Sequence, residues 1–286
     1  MQLVLGTVQF GLGYGVAGRA TAVPEDEVRA VLVRAWALGV RTLDTAAAYG
    51  DIEARLARLA EGLPFRVVTK IGPLPAGLDG AATADWAEAA LERSRTRLGR
   101  HLHAVLFHRA EDLLEAQAPL LWDRCAAWAE RHRCLLGASC YDPDTLNRLA
   151  LHTPVSIAQL PANALDQRLA QSPPRAAPIE VHIRSVFLQG LLLMPQERAV
   201  QRVPASAKAL GLWHAWVRAQ GLDPLGAALG VAQGFLGATH CVVGVDTLAQ
   251  LEAIAAAWAH ARPLWAPELA MAEPDVIDPR RWPLSS

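Results

Sequence analysis

Short, mostly apolar runs recur along this chain, each separated from the next by a longer stretch that reads largely as helix. The runs cover residues 3–5, 41–44, 65–69, 104–107, 135–138, 157–160, 181–185 and 241–243. Runs without a regular apolar/polar alternation need cover on both sides, which points to parallel pairing under a layer of helices. Eight such strands, each returning through a helical segment, predict an α/β fold in which the sheet closes on itself as a (β/α)8 barrel. An open doubly wound sheet competes poorly. Its dinucleotide fingerprint needs a strand, a tight glycine turn and a helix in immediate succession, whereas the first strand here leads into the long loop TVQFGLGYGVAG.

Helical pattern covers 24–39, 83–99, 119–132, 142–150, 204–221, 223–237 and 246–261. Pro24 stands where a helix begins and Gly39 and Gly99 where helices stop. Two helical segments separate the last two strands, which reads as an insertion. With 286 residues, 52% of them hydrophobic, and no linker-like stretch in the middle, the expectation is a single barrel domain over residues 1–286. The proline- and tryptophan-rich tail from about residue 261 is expected to pack over it irregularly.

Composition removes several functions. The formal net charge is −1 with both signs interspersed, so no basic face for nucleic acid or an anionic membrane is expected. No uncharged stretch reaches membrane-spanning length, and the amino terminus lacks a leader pattern. Four cysteines without CxxC spacing fit reduced thiols in a cytoplasmic protein. His101 and His103 alternate as HLH without a third ligand in pattern, and no metal is assigned. The nine tryptophans read as helix-to-barrel packing, and Phe10, Tyr14 and Trp86 as candidate pocket walls.

In such a barrel chemistry sits at the carboxyl ends of the strands. The second strand ends at Asp44 with Tyr49 on the loop behind it, the third runs into Lys70, and the fourth into His108. Alone, each reads equally well as half of a structural ion pair or as a packing residue. Together, an acid, a phenol, an ammonium and an imidazole on one rim make a proton-donating site for a carbonyl oxygen that gains negative charge. Lys70 is expected to lower the Tyr49 phenol, Asp44 to hold Lys70, and His108 to hydrogen-bond the carbonyl.

The stretches LGTVQFG, LDTAAAYGDIE, VVTK, LFH, IAQLPANALD, RSVFLQGLL and VVGVDTLAQLE, in that order, resemble the aldo-keto reductases over nearly the whole chain. The resemblance implies a TIM barrel oxidoreductase that reduces a small aldehyde or ketone, sugar-like among others, with NADPH or NADH. It implies Tyr49 as general acid, Asp44 and Lys70 as its tuning pair, and His108 as the residue that orients the carbonyl. For the cofactor it implies Thr7 and Val8 near the nicotinamide, Asp44 near its ribose, and Ser139 with Gln159 on the carboxamide. Arg184 falls where the family often has a stacking aromatic, and Cys140 where it commonly has asparagine. Ser185, Phe187 and Gln189 are expected at the pyrophosphate, and Gly244, Asp246 and Gln250 near the adenosine ribose. No base stands in that last segment; Asp246 is read as the cap of the following helix, which leaves NADPH ahead of NADH on family grounds.

Two other readings fit the same barrel. One is a Schiff-base aldolase or lyase using Lys70, which Asp44 opposes by keeping the amine charged. The other is a cofactor-binding regulatory subunit without turnover, against which the complete set of four polar residues argues.

Overall fold

A computed structural model of the chain describes residues 1–15, 18, 21–174 and 180–282. Eight parallel strands close into a barrel in sequential order, β1 pairing with β8 as well as β2. The strands are β1 (Gln2–Gly6), β2 (Thr42–Asp44), β3 (Arg66–Ile71), β4 (Leu102–Phe107), β5 (Leu135–Ser139), β6 (Ile157–Pro161), β7 (Glu180–Arg184) and β8 (His240–Gly244). Each matches an apolar run to within two residues at either end. The core lies mainly between the barrel wall and the helices, where Leu5, Leu43, Val67, Val105 and Ile183 meet Val31, Leu91 and Leu121. Inside the lower barrel Val68, Ala104, Leu106 and Ile157 form a smaller apolar cluster.

The helices follow the strands in the expected places; besides single turns at Val8–Gly11 and Arg168–Gln171 there are two additions. Residues Ile52–Leu59 form a helix between β2 and β3 that buries Ile52, Leu56 and Leu59 on one face. Gln196–Arg202 forms another between β7 and Ala207–Ala219. The helix after β3 starts at Gly80, ahead of the expected Thr83, because the Asp79 side chain accepts from the Ala82 amide at 2.8 Å and caps it there. Among its described residues the tail holds only short turns of helix, at Pro267–Leu269, Pro274–Ile277 and Pro279–Arg281. No helix among the described residues is long and apolar enough to cross a membrane.

Candidate active site

Side chains alternate along a strand, so residues two apart share a face. Asp44 pairs with Val68 in the β2–β3 register, which puts Lys70 one layer above it on the inner face of the barrel. The Lys70 ammonium donates to both Asp44 oxygens, at 2.8 and 2.7 Å, and to the Thr45 carbonyl at 3.0 Å. From across the barrel, Gln159 on β6 donates its amide to Asp44 Oδ1 at 2.7 Å. Thr7 ties β1 to the same point, its amide and hydroxyl both donating to the Asp44 carbonyl, at 2.9 and 3.0 Å.

This ion pair is sealed: the Lys70 side chain is 2% exposed and that of Asp44 8%. Desolvating two charges costs several kcal/mol per ion, and only a full set of partners offsets it. Here all three ammonium protons have acceptors, and each carboxylate oxygen has a donor. Burial pulls the Lys70 ammonium down from its usual range while Asp44 opposes that shift. An amine so enclosed, with every proton engaged, is poorly placed to attack a carbonyl carbon, which counts against the Schiff-base reading.

Tyr49 stands on the turn after β2, its amide bonded to the Ala46 carbonyl at 3.0 Å. Its ring meets His108 edge-on, with centroids 6.3 Å apart and planes at 85°. The expectation that Lys70 lowers the phenol is not met. Burial first, and the Asp44 charge second, raise it above its ordinary value, against a smaller lowering by Arg184. The phenol is therefore held in its protonated form. His108 moves the other way, pushed down to about 4 by burial and by the Lys70 and Arg184 charges. A neutral imidazole with one N–H to give results throughout the neutral range.

Gly11 fixes the approach of the first loop to this turn. A Cβ there would run into the Tyr49 carbonyl and press on its Cβ at 3.3 Å. Gly11→Ala should move the turn that carries the phenol, and turnover is expected to fall about 10- to 100-fold, since displacements near 1 Å cost on that order. Steady-state kcat beside a thermal melt checks this; an unchanged kcat would show that the contact relaxes without moving Tyr49.

Asp44, Tyr49, Lys70 and His108 all line one cavity of about 690 Å³ at the carboxyl end of the barrel. Thr7, Val8, Ser139 and Gln159 line its floor and near wall, and Gly244, Asp246 and Gln250 another part of it. Ser185, Phe187 and Gln189 border it as well, on a segment with unusual backbone: φ is positive at Ser185 (59°), Leu188 (48°) and Gln189 (54°), then at Gly190 (88°). Left-handed conformation at non-glycine residues costs about 1–3 kcal/mol each and clusters where a backbone is bent to meet a ligand.

Arg184 also lines the cavity, but its guanidinium lies over the Tyr141 ring at 4.6 Å and donates to the Cys140 carbonyl at 3.3 Å. The sulfur of Cys140 is buried, and burial pushes its thiol up to about 12. Near β8 the helix cap differs from expectation. Thr247, and not Asp246, is the cap of Leu248–His260, its hydroxyl accepting from the Gln250 amide at 3.2 Å. The Gln250 side chain in turn accepts from the Asp246 amide at 2.7 Å, so capping no longer accounts for the Asp246 carboxylate.

Of the candidate pocket walls only Tyr14 borders the cavity; Phe10 is fully buried in the core and Trp86 packs half-buried against it. Sequence reasoning missed Tyr141, Arg198 and Arg280, which border the cavity too. Arg280 arrives from the tail and lies over Tyr141 at 3.3 Å, with Asp278 as its ion-pair partner. Aromatic and arginine residues facing each other past strand ends are the only hint of this in the sequence.

The model of the aldo/keto reductase family matches residues 2–269. No curated protein matches the chain. Among solved structures, a Pseudomonas aeruginosa protein assigned to the aldo-keto reductases superposes with a TM-score of 0.63 at 22% identity, over 90% of this chain and 89% of that one. The holo form of the aldo-keto reductase AKR11C1 from Bacillus halodurans gives 0.71 at 17% identity, over 98% and 95%. At such identities these likenesses speak for the barrel alone, while the family match runs through every strand and every residue of the polar rim: the chain belongs to the aldo/keto reductase family.

Proposed function

We propose that this protein reduces the carbonyl group of a small aldehyde or ketone with a reduced nicotinamide cofactor, NADPH or NADH, and that Tyr49 gives the proton. The observation that carries the reading is the joint presence, on one cavity wall, of a protonated phenol, a neutral imidazole and a sealed Asp44–Lys70 pair.

The residues present fit such a cofactor. Gln159 Oε1 is buried and has no hydrogen-bond partner, a vacancy suited to the N–H of a carboxamide, and Ser139 lies on the same cavity wall. The left-handed turns at Ser185 and Gln189, with Phe187 between them, make the kind of backbone that gathers amides around an anionic group such as a pyrophosphate. Thr7 and Val8 would border the nicotinamide, with Asp44 at its ribose; Arg184, held over Tyr141, would border the same ring. Gly244, Asp246 and Gln250 would face the adenosine end. When bound, the nicotinamide supplies the hydride.

What the chain's own groups do follows from their state. As charge grows on the substrate oxygen, that oxygen becomes more basic than a phenolate, so even a phenol of raised pKa transfers its proton downhill. His108 donates a hydrogen bond to the same oxygen and stays neutral. The Asp44–Lys70 pair contributes a fixed dipole beside the phenol without moving when the reaction occurs.

A panel of small aldehydes and ketones, followed by loss of reduced-nicotinamide absorbance, tests this. Saturable turnover with at least one member is expected. Tight cofactor binding without turnover on any carbonyl would instead support the regulatory-subunit reading.

A further inference from the structure

At the opposite end of the barrel from the catalytic rim, β7 and β8 begin with Glu180 and His240, and His182 follows on the same inner face as Glu180. Carboxylate and ring-nitrogen atoms of these three residues lie within 4.8 Å of one another. The two imidazoles stack with centroids 4.1 Å apart, and His182 Nε2 stands 3.2 Å from Glu180 Oε2.

We propose that Glu180, His182 and His240 form a binding site for a divalent transition-metal ion, zinc above all, that clamps the seam between β7 and β8.

The hydrogen bonding around His240 prepares it for this role. Thr239 Oγ1 accepts from the Val181 amide at 3.1 Å and stands 3.0 Å from the Val181 carbonyl. With the hydroxyl proton on that carbonyl, the 2.8 Å contact with His240 Nδ1 takes an Nδ1–H donor and leaves Nε2 with an open lone pair. A histidine whose second nitrogen donates to a fixed oxygen is the usual arrangement behind a metal ligand. His182 is 1% exposed, and its Nδ1 has no hydrogen-bond partner. His103 Nε2 is likewise buried and unpartnered, and His103 lies near enough to Glu180 and His182 to feel their charge.

Two imidazoles and one carboxylate form a donor set that favours zinc over magnesium or calcium. Tetrahedral coordination with metal–nitrogen bonds of about 2.0–2.1 Å brings two ring nitrogens to within roughly 3.4 Å of each other, so the stacked rings must turn by a modest side-chain rotation. Arg66 opposes a cation here, since its charge reaches His103 and His240, although its guanidinium is turned toward Thr42 Oγ1 at 3.5 Å. The place is one where a clamp has an effect. The β7–β8 ladder has two registered pairs, against five for β6–β7 and five for β8–β1.

The sequence carried no sign of this site, because its histidines lie on different strands and the expectation was that no metal is bound. Untagged, chelator-treated protein titrated with zinc chloride in a calorimeter should take up one equivalent, and cobalt chloride should give the visible bands of a low-coordinate site. At a hundredfold excess over Kd the thermal midpoint should rise by about 5 °C. Glu180→Gln and His240→Asn should each weaken zinc binding at least tenfold and abolish the rise. Glu180 sits at the half-exposed edge, so its variant keeps the test alive should His240→Asn not fold. Absence of saturable one-to-one binding by the parent protein, or a Glu180→Gln variant that binds zinc as tightly as the parent, overturns the proposal.

Discussion

Tyr49→Phe is expected to lower kcat by about 10²- to 10⁴-fold while leaving cofactor affinity within about twofold of the parent. The substitution removes one oxygen from a ring whose packing against His108 is edge-on and apolar, so the pocket keeps its shape. What is lost is the phenol whose ring meets His108; Tyr14 and Tyr141, which also border the cavity, lie on other segments. The comparison needs kcat from saturating substrate and a separate titration of nicotinamide fluorescence. Parent-like turnover would take the proton-donor role away from Tyr49. The parent's pH profile carries a second check. His108, displaced to about 4, is neutral above that value and should leave no inflection near 6.5, whereas an unperturbed histidine in the same role would produce one.

Lys70→Met should be the most destabilising of the substitutions considered. It strips the cation from a carboxylate that is 8% exposed and leaves an uncompensated charge inside the barrel, at a cost of about 3–5 kcal/mol. The thermal midpoint should drop by roughly 10 °C, at about 2–4 °C per kcal/mol for a chain of this size class. Turnover should fall with it, as Asp44, to which Gln159 is bonded, loses the partner that fixes it. The double change Lys70→Met with Asp44→Asn removes both charges and should recover at least half of the lost stability. Chemical denaturation of the two single variants and the double gives the cycle. A Lys70→Met protein as stable as its parent would mean that water reaches Asp44 and that the pair is not sealed.

The strands were legible because mostly apolar runs of three to five residues leave few alternatives, and the rim residues because Asp44, Lys70 and His108 follow or end those runs directly. The helix Ile52–Leu59 carries a readable spacing of apolar residues, but it follows so closely on the Tyr49 turn that the stretch reads as loop. The cap was misplaced at Asp246 and the helix after β3 was started three residues late, since in each case a single hydrogen bond decides which polar residue closes the helix. The Gln159–Asp44 bond joins residues 115 apart and depends on barrel closure, which no local pattern encodes. The state of the Tyr49 phenol was beyond sequence for the same reason: a place on one rim with Lys70 was foreseeable, the depth of burial and the reach of the Asp44 charge were not.

Asp44 is gripped from β1, β3 and β6, yet Pro279 and Arg280, which close part of the cavity, reach it from a tail that no strand holds. Under the proposed reaction, proton transfer and part of the pocket's closure are thereby lodged in separable pieces of chain. A lineage with this plan could then reshape the mouth of its cavity by rewriting its last few dozen residues, with the Asp44 hub inherited intact.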